Sequence, residues 1–246
     1  MMENTHYIIS KNLTIVIPTY NEENYIENTI NSIYNQNGIK GVRVIISDNK
    51  STDRTREKIK RLTHLYSEKI NIELIDGGMV GVARNNGAKL CSTDFILFMD
   101  GDSVLNNRNT IQESLNEIMN RDCDILTCKV NCYKGSIGAI LSFKLFNMIN
   151  KIISLKTPFA MGMFFLTRRD VFNSFGGFDE TIKNSEDYCL SKQYNPKKFI
   201  LLNHYVGQDD RRFKKMGYLF MFKLLIKGYL NRNNYNFFKK DVGYWI

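Results

Sequence analysis

The sequence predicts an α/β fold, a mostly parallel central sheet flanked by helices and followed by an amphipathic helical tail. Three observations carry this expectation. Short β-branched runs alternate with stretches of helical spacing four times in the first half of the chain, a pattern that calls for parallel strands joined by crossover helices. The ends of those runs collect acids and small residues, which a purely structural sheet edge does not need. The 246 residues, 43% of them hydrophobic, suffice for one large core.

Leu13 to Ile17 is an apolar run stopped by Pro18, and Glu22 to Asn35 follows with Tyr25, Ile26, Ile30, Ile33 and Tyr34 near helical spacing. The unit recurs as Val42 to Ser47 then Asp53 to Tyr66, as Asn71 to Ile75 then Val80 to Leu90, and as Phe95 to Met99 before a helix from about Thr110. After a strand at Ile125 to Val130 the alternation breaks down. An amphipathic stretch from Ile137 to Leu155, a strand from Met161 to Leu166, a short helix from Arg169 to Phe175 and a strand from Phe199 to Asn203 lead into the tail. With no repeat or Pro/Gly linker in view, the second half is expected to complete the same domain.

In open α/β sheets ligands bind at the carboxyl ends of the strands. Those ends carry Thr19-Tyr20-Asn21-Glu22, Ser47-Asp48-Asn49, Asp76-Gly77-Gly78 and Asp100-Gly101-Asp102. In the last of these, two carboxylates flank a glycine that permits close backbone approach, a donor set suited to Mg²⁺ or Mn²⁺ bridging to a diphosphate. Asp48 suits recognition of a nucleobase N–H, whereas Asp53, Ser51 or Thr52 suits capping of the next helix. Gly77, Gly78 and Gly81 let a ligand approach, and Arg84 can offer a planar fork to a phosphate or an acid. Glu186-Asp187 opens a short helix, where a carboxylate serves either as a charge partner for the helix N-terminus or as a general base.

The formal charge of +9 is uneven: from Arg211 onward there are nine Lys or Arg and one acid, Asp241. A neutral body with a basic, aromatic-rich tail points to an anionic membrane surface or anionic partner rather than to nucleic acid. Tyr218 to Leu230 is apolar apart from Lys223 and Lys227, which suits a helix in a membrane interface with Trp245 at headgroup depth, or one packed on the body. The first residues lack a secretory pattern and no window supplies 18 apolar residues, so the expected location is cytoplasmic, peripheral on the membrane face. Cys123, Cys128 and Cys132 lie along one strand, where residues four apart are roughly 13 Å from each other, too far to share zinc.

With these pieces in order, the sequence resembles family 2 glycosyltransferases, inverting enzymes of the GT-A fold. The resemblance runs from about Leu13 to Leu190 and rests on six motifs in order: Ile17-Pro18-Thr19-Tyr20-Asn21-Glu22, Asp48 to Asp53, Ala83-Arg84-Asn85-Asn86-Gly87, Met99-Asp100-Gly101-Asp102, Gly176-Gly177-Phe178-Asp179-Glu180 and Glu186-Asp187. It implies a GT-A domain over 1–210, with a nucleotide-sugar part at about 12–103 and an acceptor part at about 104–210, ahead of the basic, aromatic-rich tail over 211–246. Pro18, Thr19, Tyr20 and Glu22 would line the base and ribose pocket with Gly78, Asp48 would read the base, and Arg84 would help close the pocket. Asp100 and Asp102 would serve the ribose and the Mn²⁺ or Mg²⁺ ion. Asp187, oriented by Glu186, would deprotonate an acceptor hydroxyl. His204 stands where some relatives supply a further metal ligand.

The donor implied is a nucleotide-diphosphate sugar, with UDP favoured and GDP the alternative, and the acceptor a glycan or lipid-linked hydroxyl. The chain departs from the family at Asn49-Lys50, which replaces the middle of a motif commonly Asp-Asp-Gly-Ser-x-Asp. It departs again at Gln208-Asp209-Asp210-Arg211-Arg212, which is similar to the QxxRW of processive synthases but has Arg212 in the place of Trp. Transfer of a single sugar is therefore expected. Two other readings compete: a sugar nucleotidyltransferase, which should carry a Gly-rich basic loop after the first strand, and a catalytically silent nucleotide- or sugar-binding module.

Overall fold

The computed structural model of the protein describes residues 9–240. A short helix, α1 (Ile9–Asn12), leads into β1 (Leu13–Thr19), and then the strand-helix units follow as expected: α2 (Ile26–Tyr34), β2 (Val42–Asp48), α3 (Thr55–Leu65), β3 (Ile70–Asp76), α4 (Val80–Lys89) and β4 (Phe95–Phe98). The second half contains β5 (Val104–Leu105), α5 (Thr110–Asn120), β6 (Ile125–Lys134), α6 (Ile137–Ile153), β7 (Phe165–Arg168), α7 (Arg169–Ser174), α8 (Glu186–Ser191) and β8 (Phe199–Asp209). Three helices close the described chain: α9 (Arg211–Met216), α10 (Tyr218–Leu230) and α11 (Tyr235–Phe238).

All eight strands join one sheet in the order β3-β2-β1-β4-β7-β6-β8-β5. The first four are parallel, because each is followed by a crossover helix. Beyond them the sheet is mixed: β7 runs antiparallel to both β4 and β6, β6 and β8 are parallel, and β5 is antiparallel to β8. The cores on the two faces are fully buried. Ile15, Ile17, Val44 and Ile46 face one side, under α2 and α3, while Val16, Ile45, Ile96 and Phe98 face the other. This is the period-2 alternation of a strand covered on both faces. Helix α4 packs close against β1 because Gly87 has no Cβ to collide with Val16.

Three boundaries differ from the sequence reading for physical reasons. Pro18 does not stop β1: it sits in register with Ser47, past the last β4 pairing at Val16–Phe98, so its missing N–H breaks no ladder bond on the β4 side. The strand expected from Met161 begins only at Phe165, because Met161 and Phe164 close a tight turn around Gly162. The strand expected to end at Asn203 runs on to Asp209, over a register shift opposite Cys128 and Lys129. That extension carries Gln208 to the mouth of the sheet.

The segment after residue 210 is anchored on the domain near its end. Phe238 is fully buried, and its carbonyl accepts from the backbone N–H groups of Lys183 and Asn184. Trp245 lies outside the described residues. Among the described residues no helix is long and apolar enough to cross a membrane.

Candidate active site

Parallel pairing sets Thr19, Asp48 and Asp76 side by side at the carboxyl edge of β1, β2 and β3. The Asp48 side chain is completely buried. Its Oδ1 accepts from the Thr19 hydroxyl at 3.1 Å and the Ser51 hydroxyl at 2.6 Å, and its Oδ2 from the Ser51 N–H at 3.0 Å and Arg56 at 2.9 Å. All four lone-pair directions of that carboxylate are therefore engaged. Asp53 stands one residue before Arg54, the N-cap of α3, and accepts from the N–H and hydroxyl of Thr55 while also holding the Glu23 N–H. Between them Lys50 takes φ +52°, so the loop keeps the left-handed residue that glycine commonly supplies in the family motif. Tyr20, at the end of β1, is half exposed, and Gly78 is partly buried in the turn from β3 to α4.

The Asp100-Gly101-Asp102 turn after β4 sits between two arginines, each of which bridges a pair of acids. On one side Arg84, 1% exposed, donates to Asp100 at 2.7 Å and to Glu186 at the start of α8. On the other, Arg211 donates to Asp102 at 2.6 Å and grips both oxygens of Glu22 at 2.7 and 2.8 Å, with its guanidinium over the Tyr25 ring. Gln208 reaches both oxygens of Asp102, and Arg212 lies 3.8 Å from it. Thr29 holds the Gly101 carbonyl, fixing the turn from beneath.

Charge and burial divide these acids. Burial alone would push Asp102 up, but Arg212, Arg211 and Gln208 together hold it below the usual carboxylate range. Burial raises Glu22 to about 7, against the pull of Arg211 and with the help of the Asp102 charge. Desolvation likewise raises Glu186 to about 7 and moves Asp187 upward, in both cases opposed by Arg84. Asp187 is fixed by two backbone donors, Gly162 N–H to Oδ2 at 2.8 Å and Tyr188 N–H to Oδ1 at 2.7 Å. The residue before this acid pair, Ser185, has φ +55°, a strained conformation of the kind that persists where the surroundings impose it.

Arg84, Asp100, Glu186, Asp187 and Gln208 line a common cavity of about 270 Å³. Two polar atoms beside it, Arg84 Nε and Glu186 Oε2, are buried without a hydrogen-bond partner, as expected where a ligand supplies one. The fold thus brings together Glu22, Arg84, Asp100, Asp102, Glu186 and Asp187, all singled out in the sequence. His204 is not among them: its Nε2 lies 2.6 Å from a carboxylate oxygen of Glu113 on α5.

Three residues escaped the sequence reading. Gly162 holds Asp187 through its N–H, and a Cβ there would collide with Arg84. Gln208 and Arg211 grip Asp102 from a segment whose likeness to a known motif was visible but whose partner was not.

A protein-family model described as glycosyl transferase family 2 matches residues 14–176. The poly(ribitol-phosphate) β-N-acetylglucosaminyltransferase TarS of Staphylococcus aureus is 28% identical over 123 residues, 50% of this chain and 21% of that protein. The chain therefore spans about a fifth of the length of that relative. A crystal structure of S. aureus TarS in complex with UDP-GlcNAc superposes with a TM-score of 0.61 at 25% identity, covering 79% of this chain and 58% of that one. The mannosyltransferase PcManGT of Pyrobaculum calidifontis, in complex with GDP-Man and Mn²⁺, gives a TM-score of 0.64 at 18% identity, covering 88% and 64%. The fold is that of these nucleotide-sugar complexes, and with two thirds of its length matched by the family model the chain belongs to glycosyl transferase family 2.

Proposed function

We propose that the protein transfers a single sugar from a nucleotide-diphosphate sugar, UDP-linked in preference to GDP-linked, to an acceptor hydroxyl with inversion at the anomeric carbon. The observation that carries this reading is Asp187: a carboxylate with raised proton affinity, held by two backbone N–H groups, on the same cavity as Asp100 and Arg84. A base so placed removes the proton of an attacking hydroxyl, while charge developing on the departing diphosphate is met by Arg84, Arg211 and Arg212 around the Asp100–Asp102 turn. Thr19, Tyr20, Asp48 and Gly78 at the strand ends form the base and ribose side, and a nucleobase N–H reaching Asp48 displaces one of its present donors, Ser51 or Arg56.

Asp100 and Asp102 fit a divalent cation in kind, being hard oxygen donors from one turn. Asp102 is held ionised, and its Oδ1 accepts a 3.3 Å bond from Gln208. No cluster of three or more acid, His or Cys side chains suited to a metal occurs among the described residues, so Asp100 and Asp102 are the side chains that would hold a cation here. When bound, Mn²⁺ or Mg²⁺ supplies positive charge for the leaving diphosphate. Arg211 and Arg212 already bring positive charge to Asp102, and the two arginines and the ion share it. The donor half lies before residue 104 and the acceptor half after it, with Arg211 reaching back to Glu22 and Asp102 on the donor side.

Calorimetric titration of UDP and GDP, with and without Mn²⁺, tests the proposal. Metal-dependent binding of UDP, weakened at least tenfold in Asp102→Ala, is the expected result. Failure of both nucleotides to bind under every metal condition would sink it.

A further inference from the structure

The cavity lined by Asp187 has mostly apolar walls. Its walls include α6 and α10, and among its lining are Phe143 and Phe146 of α6, Leu224 and Leu225 of α10, and Phe159 and Met163. Neither helix is covered. Only Ala139, Phe143 and Asn150 of the 17 residues of α6 are buried, and none of the 13 residues of α10. On these two helices Ile137, Leu141, Met148, Ile152, Leu219 and Leu230 are each more than half exposed, an apolar display of the kind that marks an interaction surface.

The charge of the same two segments is one-sided. Residues 135–168 and 211–240 contain thirteen Lys or Arg and no Asp or Glu, so an apolar groove is set in a cationic frame. Apolar helices with basic residues and no acids suit the interface of an anionic lipid layer. They do not suit a neutral glycan, which needs hydrogen-bonding walls.

We propose that the acceptor is an anionic lipid-linked molecule, its hydrocarbon chain lying in the groove between α6 and α10 and its hydroxyl-bearing head reaching Asp187. This rests on the transferase reading, deepening it from an acceptor hydroxyl to an acceptor of stated chemistry. The groove and the base are one continuous cavity, so a chain seated between the helices delivers its head to Asp187. The helices lie at the interface while the nucleotide-binding strand ends remain in water.

Gly228 provides the decisive variant. It lines the groove on α10, and a Cβ at that position would meet nothing within 4 Å. Gly228→Phe therefore fills the groove without disturbing the fold, and Leu224→Glu, on a helix with no buried residue, places a charge in it. Dodecyl phosphate below its micellar concentration is titrated into the full chain and both variants, with inorganic phosphate as the headgroup control and UDP plus Mn²⁺ as the donor-site control. The expected result is saturable dodecyl phosphate binding that both variants weaken at least tenfold, no comparable binding of inorganic phosphate, and UDP binding equal in all three proteins. Absence of dodecyl phosphate binding, equal binding by Gly228→Phe, or equal binding of inorganic phosphate would overturn the proposal. So would a dimer in sedimentation that Gly228→Phe dissociates, which would give the groove to a second copy of the chain. UDP failing to bind while dodecyl phosphate binds and responds to the variants would remove the donor reading and leave the groove assignment standing.

Discussion

Arg211 stands 2.6 Å from Asp102, across 109 residues of sequence, and the same guanidinium closes on Glu22. One cation therefore compensates two acids from the carboxyl ends of β1 and β4, and a residue counted by sequence as the first of a tail belongs to the site. Removing it leaves Asp102, 2% exposed, without its nearest counter-charge. Arg211→Ala should cost roughly 2–4 kcal/mol of stability in urea denaturation. The double variant with Asp102→Asn should lose less than the sum of the two single changes, since the neutral side chain needs no partner. Strict additivity would show that the pair contributes nothing.

Asp187→Asn keeps the shape of the side chain and an oxygen to accept the Gly162 N–H. With no proton affinity in the useful range, it should lower kcat by roughly 10²–10⁴, with UDP binding changed less than about threefold. A kcat within a factor of five of wild type would remove Asp187 as the base.

Burial raises both Glu186 and Glu22 from the usual carboxyl value to about 7. A carboxyl with higher proton affinity in the folded than in the unfolded state favours folding at low pH, and that contribution is lost as pH rises from about 4.5 through 7. Thermal melts should accordingly show stability falling across this window. Glu186→Gln, an isostere of the protonated form, should remove on the order of 2 kcal/mol of that slope. An unchanged slope would mean that Glu186 is ionised throughout.

The absence of a side chain at Gly162 makes room for Arg84 Nη2. Gly162→Ala should cost roughly 1–3 kcal/mol by overpacking and disturb the Arg84 contacts to Asp100 and Glu186. Arg84→Lys in the same chain removes the colliding atom and should recover part of the stability in a thermal melt. Recovery would fail if the cost lay in the Gly162 backbone.

Lys50 takes φ +52°, a conformation that costs a side-chain-bearing residue roughly 1–2 kcal/mol. Lys50→Gly relieves it at some entropic cost, for a net gain of about 0.5–1 kcal/mol in chemical denaturation. A loss of stability would show that the lysine side chain holds the loop.

Local pattern was enough for the first half of the fold and for the acids of the candidate site, but not for Gly162, Gln208 or Arg211. Strand and helix periodicities are local properties of a few consecutive residues, and a strand-helix alternation admits few topologies. The positions of Asp48, Asp100, Asp102, Glu186 and Asp187 were legible because strand ends and turns are marked by the residues that form them. The tertiary structure decided which groups face one another. Arg84 meets Glu186 across 102 residues, and Arg211 meets Asp102 only because β8 runs past Asn203 to bring Gln208 and the following arginines to the sheet mouth. His204, four residues before Gln208, is turned to Glu113 instead. Side-chain pairing over such separations depends on strand order and register, which for the mixed half of the sheet no local pattern records. The groove between α6 and α10 has the same origin: each helix is apolar in sequence, but only their placement beside Asp187 makes them walls of one cavity.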